Sequence, residues 1–109
     1  MSRQDALQGA LPLLVLKLLA RRGPLHGYAL ATQVEGISED ALRVEEGSLY
    51  PALHRLEEAG WIRARWTTTD TGRRARVYEI TAAGRKHLES EELRWKATAA
   101  AVGKVLRLA

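Results

Sequence analysis

The hydrophobic period of this chain changes near residue 61, and that change limits what it can fold into. Up to Ala59 the apolar residues recur at helical spacing; from Trp61 they alternate; after Thr81 the helical spacing returns. In the first region Leu11, Leu14, Val15, Leu18 and Leu19 follow the i, i+3, i+4, i+7, i+8 pattern of a core helix over residues 10–22. Gly23-Pro24 ends it, because glycine enters the left-handed region cheaply and proline cannot continue a helix. Tyr28, Leu30, Ala31 and Val34 predict a second helix from Leu25 or Gly27 to Val34, stopped by Gly36. His26 reads as a turn or cap residue at its start. Residues 37–44 read as a loop with a short extended piece at Leu42-Arg43-Val44.

A third helix is expected to start between Glu45 and Ser48 and to reach Ala59, with Leu49, Ala52, Leu53 and Leu56 on one face. Pro51 is tolerated only near a helix N-terminus, where its missing amide would have no partner. Gly60 ends this helix. Trp61, Arg63 and Arg65 then alternate with Ile62, Ala64 and Trp66, and Arg74, Arg76, Tyr78 and Ile80 alternate with Ala75, Val77 and Glu79. Two strands joined by the turn formers Asp70 and Gly72 make a hairpin. Trp61 is expected in the core, and Trp66 fits either face. Thr81 can cap a last helix over Ala82 to Leu106.

The chain has 109 residues and no cysteine, which excludes disulfides, thiolate metal sites and a cysteine nucleophile. The three histidines, His26, His54 and His87, are too scattered for a metal site. No Gly-rich phosphate loop or nucleophile–base pair appears, so neither an enzyme nor a cofactor is expected. The longest apolar stretch, Ala10 to Leu16, is far short of the roughly 20 residues that span a bilayer. With no signal-peptide layout at the N-terminus, a cytoplasmic protein without membrane contact is expected.

Seventeen Lys and Arg against 13 Asp and Glu leave a net charge of +4. The distribution says more than the total. Between Trp61 and Tyr78 lie Arg63, Arg65, Arg73, Arg74 and Arg76, opposed only by Asp70. Three helices followed by a basic hairpin is the order of a winged helix-turn-helix, a mainly α (α+β) fold whose third helix suits the major groove of double-stranded DNA. The outward side of that helix should carry Ser48, Tyr50, Pro51, His54 and Arg55. Glu57 and Glu58 fall at its far end, away from phosphate. The hairpin, or wing, can lie along a phosphate backbone or enter a minor groove. The duller alternatives are a solvated strand face and, for Tyr28 and Tyr50, core aromatics with satisfied hydroxyls.

Three segments, Gly23-Pro24-Leu25-His26-Gly27-Tyr28, Glu45 through Glu57 (EEGSLYPALHRLE) and Arg73 through Gly84 (RRARVYEITAAG), closely resemble the PadR family of transcriptional regulators. The resemblance covers roughly residues 10–106, in the short form with a single C-terminal helix. It implies a dimeric repressor that binds an inverted-repeat operator. It also implies a phosphate-contacting role for Tyr28, recognition-helix contacts from Ser48, Tyr50, Pro51 and His54, and wing contacts from Arg73, Arg74 and Arg76.

On the last helix Leu88, Trp95, Ala99, Val102 and Leu106 form a seam with coiled-coil-like spacing. A helix of this length, about 37 Å at 1.5 Å per residue, exceeds what so small a domain covers. The extra length is expected to bury its stripe against a second copy, with Asp5 to Gly9 joining; the alternative is that it folds back on helix 1. The chain thus divides into a DNA-binding unit, 1–81, and a dimerisation helix, 82–109. Trp95 reads either as dimer core or as the wall of a pocket for a small aromatic effector. The competing function is a winged-helix module that binds other proteins and not DNA, against which the arginine-rich wing speaks.

Overall fold

The computed structural model describes residues 3–108, with side chains from Gly9 onward. The backbone of Asp5 to Gln8 is described but not their side chains, so their expected share in an interface lies outside what is described, as do the ends of the two expected units at Met1, Ser2 and Ala109. The elements in chain order are α1 (Arg3–Arg22), β1 (Leu25–His26), α2 (Gly27–Ile37), α3 (Glu46–Glu58), β2 (Ile62–Thr68), β3 (Arg74–Ile80) and α4 (Ala82–Leu106). The three strands form one antiparallel sheet in the order β1-β3-β2. This is the winged helix arrangement, with a long C-terminal helix.

Most of the residues named by periodicity meet in one core. Leu11, Val15, Leu18 and Leu19 of α1, joined by Leu16, pack with Leu30 and Val34 of α2 and with Leu49, Ala52, Leu53 and Leu56 of α3. Leu14 and Ala31 are half-buried at its edge, and Tyr28 is exposed. Ile62 and Tyr78 close this core from the sheet and Leu88 from α4. A fully buried leucine gains roughly 1.5–3 kcal/mol over an exposed one, so three short helices, each marginal alone, become stable together.

Several boundaries differ from the sequence expectations. Helix α1 begins at Arg3, ahead of the apolar pattern, so Pro12 sits inside it rather than near its start. Helix α2 runs through Gly36 to Ile37. Its reversal is made instead by Glu39 and Asp40, at φ 53° and 63°; aspartate tolerates this left-handed region better than most side chains. No strand forms at Leu42–Val44. The Leu42 amide donates to the Ser38 hydroxyl (3.1 Å) and the Val44 amide to the Glu35 carboxylate (2.9 Å), so side chains take the place of a sheet partner. The third strand lies at Leu25–His26, against Tyr78 and Val77. Proline at 24 cannot extend a helix there, and two residues are too few to show a period.

The wing is tied to α4 at its root. The Thr81 hydroxyl donates to the Gly60 carbonyl (2.7 Å) and accepts from the Gly84 amide (3.0 Å), capping α4 as its position suggests. The Thr81 amide donates to the Trp61 carbonyl at 3.0 Å. A Cβ at Gly84 would meet that same carbonyl oxygen at 2.0 Å, so only glycine lets the helix approach this closely. Trp61 is half-buried and stacks on His87, with ring centroids 3.4 Å apart.

Candidate nucleic-acid interface

Because Leu49, Ala52, Leu53 and Leu56 are buried, the opposite face of α3 is held outward in a fixed pose. Tyr50, Pro51, His54 and Arg55 are exposed on it and Ser48 is half-buried. These residues do not share one surface. Ser48, Pro51 and Arg55 line a shallow groove of about 100 Å³ against Leu11 of α1. Tyr50 lies on the other flank, toward the wing. His54 stands between them, its Nε2 2.5 Å from the Glu58 carboxylate one turn on.

On the Tyr50 flank a bay of about 330 Å³ opens between the start of α2, the middle of α3 and the wing. Tyr28, Tyr50, Arg73, Arg74 and Arg76 all line it. These residues are distant in sequence, and the fold converges them. Tyr28 is 77% exposed and has no place in the core. Gly27 makes room for Tyr50: a Cβ there would lie 2.9 Å from the Tyr50 hydroxyl oxygen. The first turn of α2 opens on this bay, and a helix N-terminus attracts anions. His26 caps that turn, its Nδ1 accepting from the Ala29 amide at 3.3 Å.

The arginines of the wing are in different states. Arg63 pairs with Glu79 directly across the sheet, at 2.6 Å. Arg76 donates to the Glu57 carboxylate at 3.0 Å, joining the wing to α3, and lies 5.8 Å from the centre of the Tyr78 ring. Arg74 lies over the Trp66 indole at 4.7 Å. Arg73 and Arg65 make no ion pair among the described residues. The turn that carries Arg73 is closed by its carbonyl, which accepts from the Thr69 amide at 2.8 Å, and by the Thr69 hydroxyl, which accepts from the Arg73 amide at 3.2 Å. Burial raises the Tyr78 phenol above its ordinary pKa, against the opposing pull of the Arg76 charge, so it stays protonated.

Glu57, at the far end of α3, thus reaches the wing through Arg76, a contact the sequence reading did not name. The signal was its spacing: seven residues from Tyr50 is two helical turns, on the same flank. No group of three or more His, Asp or Glu is placed to hold a metal ion among the described residues.

Residues 15–90 match the family model of the transcriptional regulator PadR-like family. The chain belongs to that family. A transcriptional regulator from Clostridium thermocellum superposes with a TM-score of 0.83 at 27% identity, over 92% of this chain and 96% of that one. A PadR family transcriptional regulator from Eggerthella lenta gives 0.80 at 29% identity, over 97% and 89%. A transcriptional regulator of Mycobacterium tuberculosis is 40% identical over 67 residues, 62% of this chain and 59% of that protein. The PadR fold thus accounts for nearly the whole chain.

The C-terminal seam divides into two parts. Leu88 is 7% exposed and completes the chain's own core, so it does not lie open with the rest of the stripe. The Lys17 ammonium reaches the Glu92 carboxylate at 2.8 Å, so α4 follows α1 that far. Beyond it Trp95, Ala99, Val102 and Leu106 are exposed, as are Val105 and Leu108. Trp95 also borders an apolar cavity of about 480 Å³ walled by Leu13, Leu14 and Leu42. No helix is long and apolar enough to cross a membrane.

Proposed function

We propose that this PadR-family chain is a sequence-specific DNA-binding repressor that grips an inverted-repeat operator as a homodimer. The observation that carries the reading is the convergence of Tyr28, Tyr50, Arg73, Arg74 and Arg76 on one bay beside the exposed face of α3. With α3 in the major groove, that bay faces the phosphates at the groove edge, where arginine and tyrosine are suited to hold a backbone. Arg55, His54, Pro51 and Ser48 then meet base edges or the opposite strand. The exposed stripe from Trp95 to Leu106 supports a second copy on α4. Residues 1–81 would carry DNA binding and 82–109 dimerisation, with Gly84 and Leu88 serving both. A twofold axis places two α3 helices about one DNA turn apart, and an effector that changes this spacing releases the operator. The cavity beside Trp95 suits a small flat aromatic compound, since indole stacks on such rings.

The test is binding of the purified protein to the DNA upstream of its own gene, against a scrambled duplex of equal length, across a salt series. Tighter binding to the upstream fragment, falling steeply with salt, is expected of an autoregulating repressor. Absence of binding to any duplex by folded protein would favour a protein-binding module. The effector reading is tested by quenching of tryptophan fluorescence; it fails if no compound quenches wild type more than Trp95→Phe.

A further inference from the structure

Two side chains one turn apart on α3, His54 and Glu58, face solvent and each other. They are 72% and 66% exposed, yet the ring is not loose: its Nε2 lies 2.5 Å from a Glu58 carboxylate oxygen. An exposed pair of this kind adds little to stability. Its consequence is for the hydrogen bonds the ring can offer. A carboxylate only accepts, so Nε2 carries a proton whether the ring is neutral or charged. Nδ1 has no partner among the described residues. The charged and titratable neighbours are turned elsewhere: Arg55 lines the groove against α1, Glu57 pairs with Arg76 of β3, and Tyr50 lines the bay beside the wing. Glu58 is thus the one charged group paired with the ring among the described residues.

With the Nε2 proton fixed, the state of the ring decides what Nδ1 does. In the neutral ring Nδ1 is an acceptor; in the imidazolium it carries the second proton and donates. Base edges in the major groove tell these apart, since cytosine N4 and adenine N6 donate, whereas guanine presents two acceptors, N7 and O6. We infer that Glu58 is a positioning residue that sets which base His54 reads. The neutral ring, held by Glu58, selects cytosine or adenine on the strand it meets, and the charged ring selects guanine. Without Glu58 the neutral ring is free to rotate and to take either tautomer, so it presents a donor as readily as an acceptor. One recognition helix therefore prefers different half-sites in alkaline and in acid. This rests on the DNA-binding reading above and adds the base class, the residue that fixes it and its dependence on protonation.

The test enriches duplexes from a random pool with wild-type protein at about pH 8.5 and about pH 5.5, either side of the usual histidine range. The position read by His54 is the one whose preference His54→Ala loses. At that position wild type should favour cytosine or adenine over guanine about tenfold at the higher pH, and the order should reverse at the lower. Glu58→Ala, an exposed change whose fold is checked by its melting temperature, should lose most of the alkaline preference there and keep the wild-type preference at every other position. The readout is a ratio between sequences, so the charge removed with Glu58 cancels from it. A role in helix stability alone would weaken all sequences alike and leave the ratio unmoved. His26 and His87 lie outside α3, so protonating them likewise acts on all sequences together. The inference is overturned if wild type prefers the same base at both pH values, if Glu58→Ala discriminates as well as wild type, or if His54→Ala alters no position. If wild type enriches no duplex at either pH, the DNA-binding reading itself has failed, and this inference with it.

Discussion

Helix α3 and the outer half of α4 both carry an apolar stripe at helical spacing, yet they meet opposite fates. Every stripe residue of α3 is buried within the chain, Leu53 to 1% exposure. The stripe of α4 is covered at Leu88 and then runs uncovered, with Trp95 52%, Val102 50% and Leu106 79% exposed. A stripe filled from within turns its helix into a rigid mount, and the candidate DNA-contacting residues of α3 occupy the other side. A stripe left open past the end of its own domain is a surface for association. The same pattern therefore marks core in one helix and, in the other, an open surface that the proposed dimer would cover, and only the three-dimensional reach of α1 separates the two.

The largest expected effect separates the helices directly. Leu53→Ala should cost about 3 kcal/mol, and the loss in thermal unfolding should be the same at any protein concentration. Val102→Ala should instead lower the melting temperature at high concentration and matter little in dilute solution, where no partner is bound. Equal, concentration-independent losses would erase the distinction.

Gly84→Ala comes next, at the junction of the two regions. Its Cβ would drive against the Trp61 carbonyl at 2.0 Å, forcing α4 off the root of the wing at a cost of about 2 kcal/mol. Denaturant unfolding checks this.

Glu57→Gln should change stability by less than about 0.5 kcal/mol, because its pair with Arg76 is partly solvent-exposed. It should nonetheless tighten DNA binding and steepen the salt slope by about one unit, as Arg76 is freed for phosphate. An unchanged slope would place Arg76 outside the DNA contact.

The smallest effect is a pH dependence where α4 leaves α1. Hydrogen bonds from Lys17 and Lys96 hold the Glu92 carboxyl below its ordinary pKa. A depressed carboxylate contributes stability above its unfolded pKa and loses it as pH falls through the folded value. Acid unfolding of Lys17→Met should therefore show a slightly weaker pH dependence below the ordinary glutamate range than wild type.

Much of this was legible in the sequence, for physical reasons. Helix α4 combines a threonine cap with sustained periodicity, and its bounds from Ala82 to Leu106 could be read directly. The hairpin could be read because period two is hard to mistake over seven-residue strands. Strand β1 could not, since two residues carry no period and their pairing with Tyr78 is a tertiary fact. At the site, residue identities were legible but their grouping was not. Tyr28 and Arg73 are 45 positions apart and border one bay, whereas Ser48 and Tyr50 are neighbours on opposite flanks of α3. Which arginines stay free depended on Glu57 and Glu79, whose reach only the packed structure reveals.

The most direct test of the account is hydroxyl-radical footprinting of an enriched operator duplex, with the chain-to-duplex ratio measured on the same complex by native mass spectrometry. Two chains per duplex, with two protected patches centred about 10 base pairs apart, are predicted. A single chain bound to one patch, or two chains with no fixed spacing, would contradict a dimer that presents two α3 helices to DNA.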